Sequence, residues 1–304
     1  MNRLEKTADA MGATWSIVLY GQDRKRMDQA VAEAFSEIRR LDEMLSIYKP
    51  DSEWSAINRS AATTHVRVSQ ESLSLLFRCR DYSARTEGAF DITVGALLRT
   101  WGFLGGSARR PDDSEIANAL ARTGYRHLLL NSEAYTVRFD QPGLEIDPGG
   151  IGKGYAVDRA AEVLRGHGFD TALLTASSST IYGMGSPPSE PKGWPVDIRD
   201  PVNPKKAIET VFLRDMSIST SGVLEQSFWS RGVFYGHIID PRTGYPASGV
   251  VSASVVAPHA TDSEAWTKPC LINGQTWVES RKPEDFSVFL CVEGRGLIRL
   301  GRSS

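Results

Sequence analysis

Apolar residues recur at steps of three and four along residues 24–48, and this spacing predicts a long amphipathic helix. The apolar stripe consists of Met27, Val31, Phe35, Ile38, Leu41 and Leu45. Further helices are predicted after an N-cap at Ser69 and over residues 91–98, 114–122, 154–166 and 262–272. The stretch 46–60 is polar and is predicted to be a loop.

Short apolar runs between turn residues predict a series of strands. These runs are residues 14–20, 128–130, 135–139, 144–147, 172–174, 180–182, 195–199, 207–213, 233–239, 250–256, 287–292 and 297–300. Strands and helices are mixed without strict alternation, so the predicted fold class is α+β. The chain has 304 residues, 41% of them hydrophobic, which is enough for two lobes or one large domain with an insertion.

Charge and apolar runs exclude two classes of protein. The net charge is −2, whereas a generic nucleic-acid binder carries a basic excess, so no nucleic-acid partner is expected. No run approaches 18 apolar residues, so no membrane span is expected. Residues 1–21 lack the apolar core of a signal peptide, which predicts a cytoplasmic protein, or an exported or membrane-anchored one whose export segment was removed.

The three cysteines, Cys79, Cys270 and Cys291, are widely spaced. No CxxC pair or Cys/His cluster occurs, which argues against a zinc site. Three buried thiols are expected rather than one disulfide with a free thiol.

A glycine-rich segment, residues 144–155 (LEIDPGGIGKGY), leads from a predicted strand into a predicted helix. Spaced glycines let the backbone approach a phosphate closely, and a helix N-terminus offers free N–H groups. Lys153 adds a positive charge, but the next residue is Gly154, so this is not a Walker A motif. A tight structural turn and an anion-binding turn both fit the segment. Asp147 is suited either to cap the helix or to bind a ring N–H or a ribose.

Two further segments carry candidate chemistry. Residues 236–244 (GHIIDPRTG) end an apolar strand in a rigid turn, where His237 is either structural or a base near a phosphate. Residues 261–264 (TDSE) open a predicted helix. Helix capping explains these acidic residues fully, while their oxygens also suit Mg²⁺ bound together with phosphates.

Taken together and in this order, these segments resemble the ApbE family of FAD:protein FMN transferases. The resemblance covers nearly the whole chain, and we treat residues 1–304 as one ApbE-like domain of two intertwined lobes. The matching blocks are residues 11–14 (MGAT), 45–58 (LSIYKPDSEWSAIN), 88–95 (GAFDITVG), 101–103 (WGF), 147–158 (DPGGIGKGYAVD), 219–222 (STSG) and 237–244 (HIIDPRTG).

The resemblance implies a two-lobed mixed fold with largely antiparallel sheets and FAD in the cleft between the lobes. It implies transfer of FMN from FAD to a Thr or Ser hydroxyl of an acceptor flavoprotein, with release of AMP. The residues implied to contact the flavin nucleotide are Met11, Tyr48, Ala89, Phe90, Asp91, Asp147, Lys153, His237 and Ile238. Lys153 and Mg²⁺ are expected to neutralise phosphate charge, and His237 to assist deprotonation of the acceptor hydroxyl.

Two positions depart from the family pattern. A Gly-Gly-Asp is replaced in residues 176–180 (ASSST), where Ser177 and Ser178 are expected to keep a phosphate or flavin contact. The Asp and Thr of the metal site align with Glu264 and Lys268, and an ammonium group has only donors. The remaining candidate metal ligands are the Gly150 carbonyl, Glu264 and Thr267, or Asp262 in place of Glu264 if the alignment shifts. These departures keep an FAD pyrophosphate hydrolase and a non-catalytic FAD-binding protein open as alternatives.

Overall fold

The structure is a computed structural model that describes residues 1–301. Its helices are α1 (Arg24–Leu45), α2 (Glu53–Ser60), α3 (Gln70–Arg85), α4 (Gly95–Thr100), α5 (Asp113–Leu120), α6 (Gly152–Gly166) and α7 (Ala260–Arg281). Its strands are β1 (Asn2–Ala10), β2 (Ala13–Gly21), β3 (Val66–Arg67), β4 (Leu128–Asn131), β5 (Thr136–Phe139), β6 (Ala172–Ala176), β7 (Thr180–Met184), β8 (Trp194–Arg199), β9 (Ala207–Leu213), β10 (Met216–Gly222), β11 (Ser227–Ser230), β12 (Val233–Gly236), β13 (Val250–Ala257), β14 (Ser287–Val292) and β15 (Gly296–Leu300).

An eight-stranded sheet in the order β1-β2-β6-β7-β10-β13-β14-β15 forms the centre of the fold. Its pairings are all antiparallel, and three smaller antiparallel sheets accompany it: β3-β5-β4, β8-β9 and β11-β12. The predicted α+β class with largely antiparallel sheets is therefore confirmed. No helix within residues 1–301 has the length and apolarity needed to cross a membrane.

The main sheet is covered on its two faces by different apolar clusters. Side chains of a strand point alternately to opposite faces, and β2 shows this directly. Ile17 and Leu19 belong to the large core beneath α1, α6 and α7. Val18, between them, packs into a smaller cluster with Trp194 and Leu213 from the β8-β9 ribbon.

Helices α6 and α7 pack against each other and carry the site described below. Asp158 on α6 accepts hydrogen bonds from the backbone N–H groups of Ala260 (2.7 Å) and Thr261 (2.9 Å). The first N–H groups of a helix lack partners inside the helix, so this carboxylate caps α7 from a neighbouring helix. Helix α7 is kinked at Gly274, whose φ is 73°.

The structure corrects several boundaries that the sequence predicts. Residues 53–60 form a helix rather than a loop, because Ser52 caps the segment and Trp54 and Ile57 bury its apolar face. Residues 144–147 form no strand; a single bridge joins Glu145 to Val94. The prediction missed β1, β3, β10 and β11, which are rich in polar or exposed residues. The three cysteines are free and buried, as predicted.

Candidate functional site

A cavity opens where the start of α6, the end of β10, the first half of α7 and two loops meet. The loops contribute residues 89–92 and 237–241. The cavity is lined by Ala89, Phe90, Asp91, Ile92, Val94, Leu98, Asp147, Gly149, Gly150, Lys153, Ser179, Thr180, Ser219, Thr220, Ser221, Gly222, Glu225, His237, Ile238, Ile239, Pro241, Glu264 and Lys268. The lining combines apolar side chains, called the apolar wall below (Ala89, Phe90 and Ile238), with polar and charged ones, called the charged wall below (Lys153, His237, Glu264 and Lys268). This combination suits an amphipathic ligand with an anionic part.

The glycine-rich turn brings the N-terminus of α6 to this cavity. Asp147 stabilises the turn, since its Oδ1 accepts a hydrogen bond from the Gly149 N–H at 2.7 Å. Gly154 allows α6 to lie directly on α7, because a Cβ at this position would sit 2.2 Å from the Ala260 carbonyl oxygen. The glycines therefore serve close helix packing as well as access to the cavity.

Lys153 is held toward the cavity by the turn between β6 and β7. Its Nζ donates a hydrogen bond to Ser179 Oγ at 2.7 Å. Ser177 in the same turn has a φ of 52°, and the tight turn leaves both Ser177 and Ser178 exposed to solvent. Ser179 and Thr180, rather than Ser177 and Ser178, therefore line the cavity.

Glu264 and Lys268 lie one helical turn apart on α7, and both face the cavity. Glu264 is 3% exposed, and its Oε2 accepts a hydrogen bond from the Gly154 N–H at 2.5 Å. Burial lowers the pKa of Lys268, and the negative charge of Glu264 opposes this effect. Within residues 1–301, no group accepts a hydrogen bond from the Lys268 ammonium or forms an ion pair with it.

His237 is fixed by the backbone of Gln226. Its Nδ1 lies 3.2 Å from the Gln226 carbonyl oxygen, and its own backbone N–H donates to the same oxygen. A carbonyl oxygen only accepts, so Nδ1 carries the proton, and Nε2 of the neutral ring keeps a free lone pair. Burial lowers the pKa of His237, the Gln226 carbonyl opposes this, and the positive charges of Lys268 and Lys153 lower it further. The lowered pKa favours the neutral form of the ring, in which Nε2 can accept a proton.

Asp91 has a structural role at the edge of the cavity. Its carboxylate accepts hydrogen bonds from the Thr93 N–H, the Thr93 hydroxyl and the Tyr125 N–H at 2.7 to 2.8 Å. Burial raises the pKa of Asp91, and the Thr93 hydrogen bonds oppose that rise. Because these bonds already use both carboxylate oxygens, Asp91 shapes the loop that presents Ala89 and Phe90 to the cavity.

Most residues predicted for the site are brought together by the structure. Those lining the cavity are Ala89, Phe90, Asp91, Asp147, Gly150, Lys153, His237, Ile238 and Glu264. Met11 and Tyr48 lie outside it. Met11 packs against Gly152, at the start of α6. Tyr48 is 76% exposed and lies in a neighbouring depression beside Arg99 and Glu145.

Thr267 does not reach the cavity. It is fully buried, and its hydroxyl forms hydrogen bonds with Ser221 Oγ (2.7 Å) and the Glu264 carbonyl oxygen (2.8 Å). These contacts fix the β10–α7 interface, where Ser219 and Ser263 pair in the same way at 2.8 Å. Adjacent residues of a helix project about 100° apart, so Thr267 points to the β10–α7 interface while Lys268 faces the cavity.

Several lining residues were not among the predicted site residues. Ser219, Thr220 and Ser221 belong to the block 219–222, so that block was the signal that could have identified them. Glu225 also lines the cavity, although it follows β10 in an irregular segment without a recognisable pattern.

The donor set around Glu264 does not fit a divalent cation. A Mg²⁺ site needs several oxygen ligands and no competing cation. Here Glu264 Oε2 already accepts a backbone N–H, Thr267 is used at the β10 interface, and the Lys268 ammonium faces the same space. Within residues 1–301, no cluster of three or more His, Cys, Asp or Glu side chains is arranged to hold a metal.

Comparison with known proteins identifies the family of the chain. A family model described as the ApbE family matches residues 11–288. The chain belongs to the ApbE family. It is 33% identical over 259 residues to a FAD:protein FMN transferase of Treponema pallidum (strain Nichols), covering 81% of this chain and 71% of that protein. A FAD:protein FMN transferase of Salmonella typhimurium is 31% identical over 300 residues, covering 94% of this chain and 83% of that protein.

Solved ApbE structures share the whole fold. The ApbE protein of Thermotoga maritima superposes with a TM-score of 0.90 at 30% identity, covering 98% of this chain and 97% of that one. Flavin transferase ApbE from Vibrio cholerae gives a TM-score of 0.84 at 27% identity, covering 100% and 98% of the two chains. The ApbE blocks 88–95, 147–158, 219–222 and 237–244 all contribute residues to the single cavity described above.

Proposed function

We propose that this protein is a transferase that moves FMN from FAD to a Thr or Ser hydroxyl of an acceptor flavoprotein and releases AMP. The observation that carries the proposal is the cavity itself, in a chain whose relatives are named for this activity. It places two lysines and a neutral, oriented histidine beside an apolar wall. An isoalloxazine ring and a pyrophosphate are an apolar group and an anionic group on one molecule.

The apolar wall supplies binding and orientation for the flavin half of FAD. Ala89, Phe90 and Ile238 line the cavity and are all at most 4% exposed, so their positions are set by the core behind them. Phosphoryl transfer depends mostly on positioning and charge stabilisation, so a rigid wall is a direct contribution to the reaction. Asp147 and Asp91, which also line the cavity, shape the local turns through their hydrogen bonds.

The charged wall supplies the chemistry. The acceptor hydroxyl oxygen attacks the phosphorus of the FMN half, the bond from that phosphorus to the bridging oxygen breaks, and AMP leaves with the electron pair. The hydroxyl proton passes to Nε2 of His237. Lys153, positioned by Ser179, balances the negative charge on the phosphate oxygens.

Met11 and Tyr48 are proposed to contact FAD outside the cavity. Desolvation raises the pKa of Tyr48, and the negative charge of Asp147, a cavity residue, adds to this rise. Ser177 and Ser178 are exposed to solvent, and we propose no FAD contact for either of them; they form the turn that carries Ser179. No step of this mechanism runs through Mg²⁺, because the Gly150, Glu264 and Thr267 set does not fit it.

One assay tests the proposal against its alternatives. The protein is incubated with FAD and a flavin-acceptor domain, and the products are separated on a denaturing gel viewed under ultraviolet light. A fluorescent acceptor band together with AMP is expected. AMP and free FMN without that band would instead identify an FAD hydrolase, and a yellow protein without either product would identify a flavin-binding protein.

A further inference from the structure

Lys268 presents a positive charge to the cavity without a partner in the protein. Its side chain passes Gly150, where a Cβ would lie 3.8 Å from Lys268 Cε, and it lines the cavity together with Lys153. No hydrogen-bond acceptor or ion-pair partner for its ammonium exists within residues 1–301. A largely desolvated ammonium without a partner is costly, so a residue of this kind is expected to meet an anion in the working complex.

The surrounding charges indicate where that anion lies. Glu264, Glu225 and Asp147 are close enough to raise the pKa of Lys268, yet none of them forms an ion pair with it. Glu264, the nearest in sequence, holds Gly154 at the start of α6 instead. Lys153 on α6 and Lys268 on α7 line the same cavity, and the positive charge of Lys153 lowers the pKa of Lys268. Two cations that repel each other across an open space form an anion site.

We propose that Lys268 occupies the position and takes the charge role of a divalent cation, so that this protein binds and cleaves FAD without a metal. This inference rests on the proposed function for its substrate. The pyrophosphate of FAD carries one negative charge on each phosphate, and Lys153 with Lys268 supplies two positive charges. As an ammonium, Lys268 stabilises charge on the phosphate oxygens while the bond to the AMP half breaks.

The Lys268 ammonium is covalently part of the protein. A chelator removes a bound Mg²⁺ but cannot remove this ammonium. Glu264 cannot hold a metal ion beside Lys268, since the Lys268 ammonium lines the same cavity, repels a second cation and contributes no lone pair.

The test compares FAD binding and metal binding in four proteins: wild type, Lys268→Met, Lys268→Thr and the exposed control Lys205→Met. FAD affinity is measured by flavin fluorescence titration in EDTA and again in Mg²⁺, and metal binding by Mn²⁺ electron paramagnetic resonance. Wild type and Lys205→Met are expected to bind FAD equally in both buffers and to bind no Mn²⁺ tightly. Lys268→Met is expected to bind FAD about tenfold to a hundredfold more weakly in EDTA, as for loss of a hydrogen bond to a charged group. Lys268→Thr is expected to bind Mn²⁺ and to recover FAD affinity in Mg²⁺.

Several results would overturn the inference. One is tight Mn²⁺ binding by wild type, or wild-type FAD binding that collapses in EDTA and returns with Mg²⁺. Unchanged FAD affinity in Lys268→Met would do the same, and the wild-type measurements decide the question even if this variant fails to fold. The acceptor assay, run in EDTA and in Mg²⁺, separates this inference from the proposed function. Transfer only with Mg²⁺ contradicts the inference and leaves the function intact, whereas metal-independent FAD binding without transfer contradicts the function alone.

Discussion

The backbone N–H of Gly154, in the first turn of α6, donates a hydrogen bond to the carboxylate of Glu264 on α7 at 2.5 Å. This bond joins the glycine-rich turn to the helix that carries Lys268. The two helices approach so closely at this point that a Cβ on Gly154 would lie 2.2 Å from the Ala260 carbonyl oxygen and 3.0 Å from Glu264 Oε2. The geometry of the charged wall therefore depends on a position where a side chain does not fit.

Gly154→Ala is expected to destabilise the protein and to weaken FAD binding. The added methyl meets backbone of α7, which can only move by shifting the helix, and overpacking of this kind costs about 1–3 kcal/mol. Gly166→Ala is a matched control at the other end of α6, where a Cβ meets nothing within 4 Å. That variant is expected to leave stability unchanged or to raise it by up to about 1 kcal/mol. Chemical denaturation of both variants measures the difference, and equal stabilities would contradict the packing argument.

Asp158→Ala is expected to lower stability by about 1–2 kcal/mol, because it removes the cap that accepts the Ala260 and Thr261 N–H groups. Asp285→Ala, at an exposed position, is the control and is expected to change stability by less than about 0.5 kcal/mol. Thermal unfolding measures both. FAD affinity should fall in Asp158→Ala as well, since the cap fixes the start of the helix that carries Glu264 and Lys268. Full FAD affinity in this variant would show that α7 is positioned by other contacts.

His237→Gln is expected to reduce FMN transfer about 10²- to 10⁴-fold while FAD affinity changes little, because the variant keeps a polar side chain but loses the proton acceptor. His65→Gln, at an exposed position remote in sequence, is the matched control and should transfer at the wild-type rate. Initial rates with saturating FAD and acceptor distinguish the two. A parallel loss of FAD affinity and rate would assign His237 to binding instead.

The transfer rate should depend on pH through His237. The His237 imidazole must be neutral to accept a proton. Its pKa is lowered by burial and by the positive charges of Lys268 and Lys153. The rate should therefore rise with pH through a midpoint below the ordinary histidine value of about 6.5 and be level at neutral pH.

A substitution of Glu225 tests whether the pH dependence comes from His237, because the negative charge of Glu225 raises the pKa of His237. Glu225→Gln should move the acid limb of the profile to lower pH, and His237→Gln should abolish the limb. A limb that moves to higher pH in Glu225→Gln would contradict the assignment of that limb to His237.

The sequence predicted the parts of this protein that follow from local pattern. Helix α1 was placed correctly because its apolar stripe has a clear helical period, and α2 was missed because eight residues with two buried apolar side chains show almost none. Lys268 could be singled out by alignment with the family pattern, yet its lack of a partner is a property of the packed structure. Glu225 carries no sequence signal. The conformation of the turn between β6 and β7 decides that Ser179, rather than Ser178, lines the cavity.

Strand β2 lies beside β6 in the main sheet, with Trp15 opposite Ala176, although residues 22–171 separate the two strands along the chain. On the ribosome, the β1-β2 hairpin therefore emerges long before the strand that completes its edge. His237 and α7 are synthesised later still, so the nascent chain holds the glycine-rich turn for some time without the rest of the cavity. Because the lining residues extend from Ala89 to Lys268, the cavity is complete only after α7 has been synthesised.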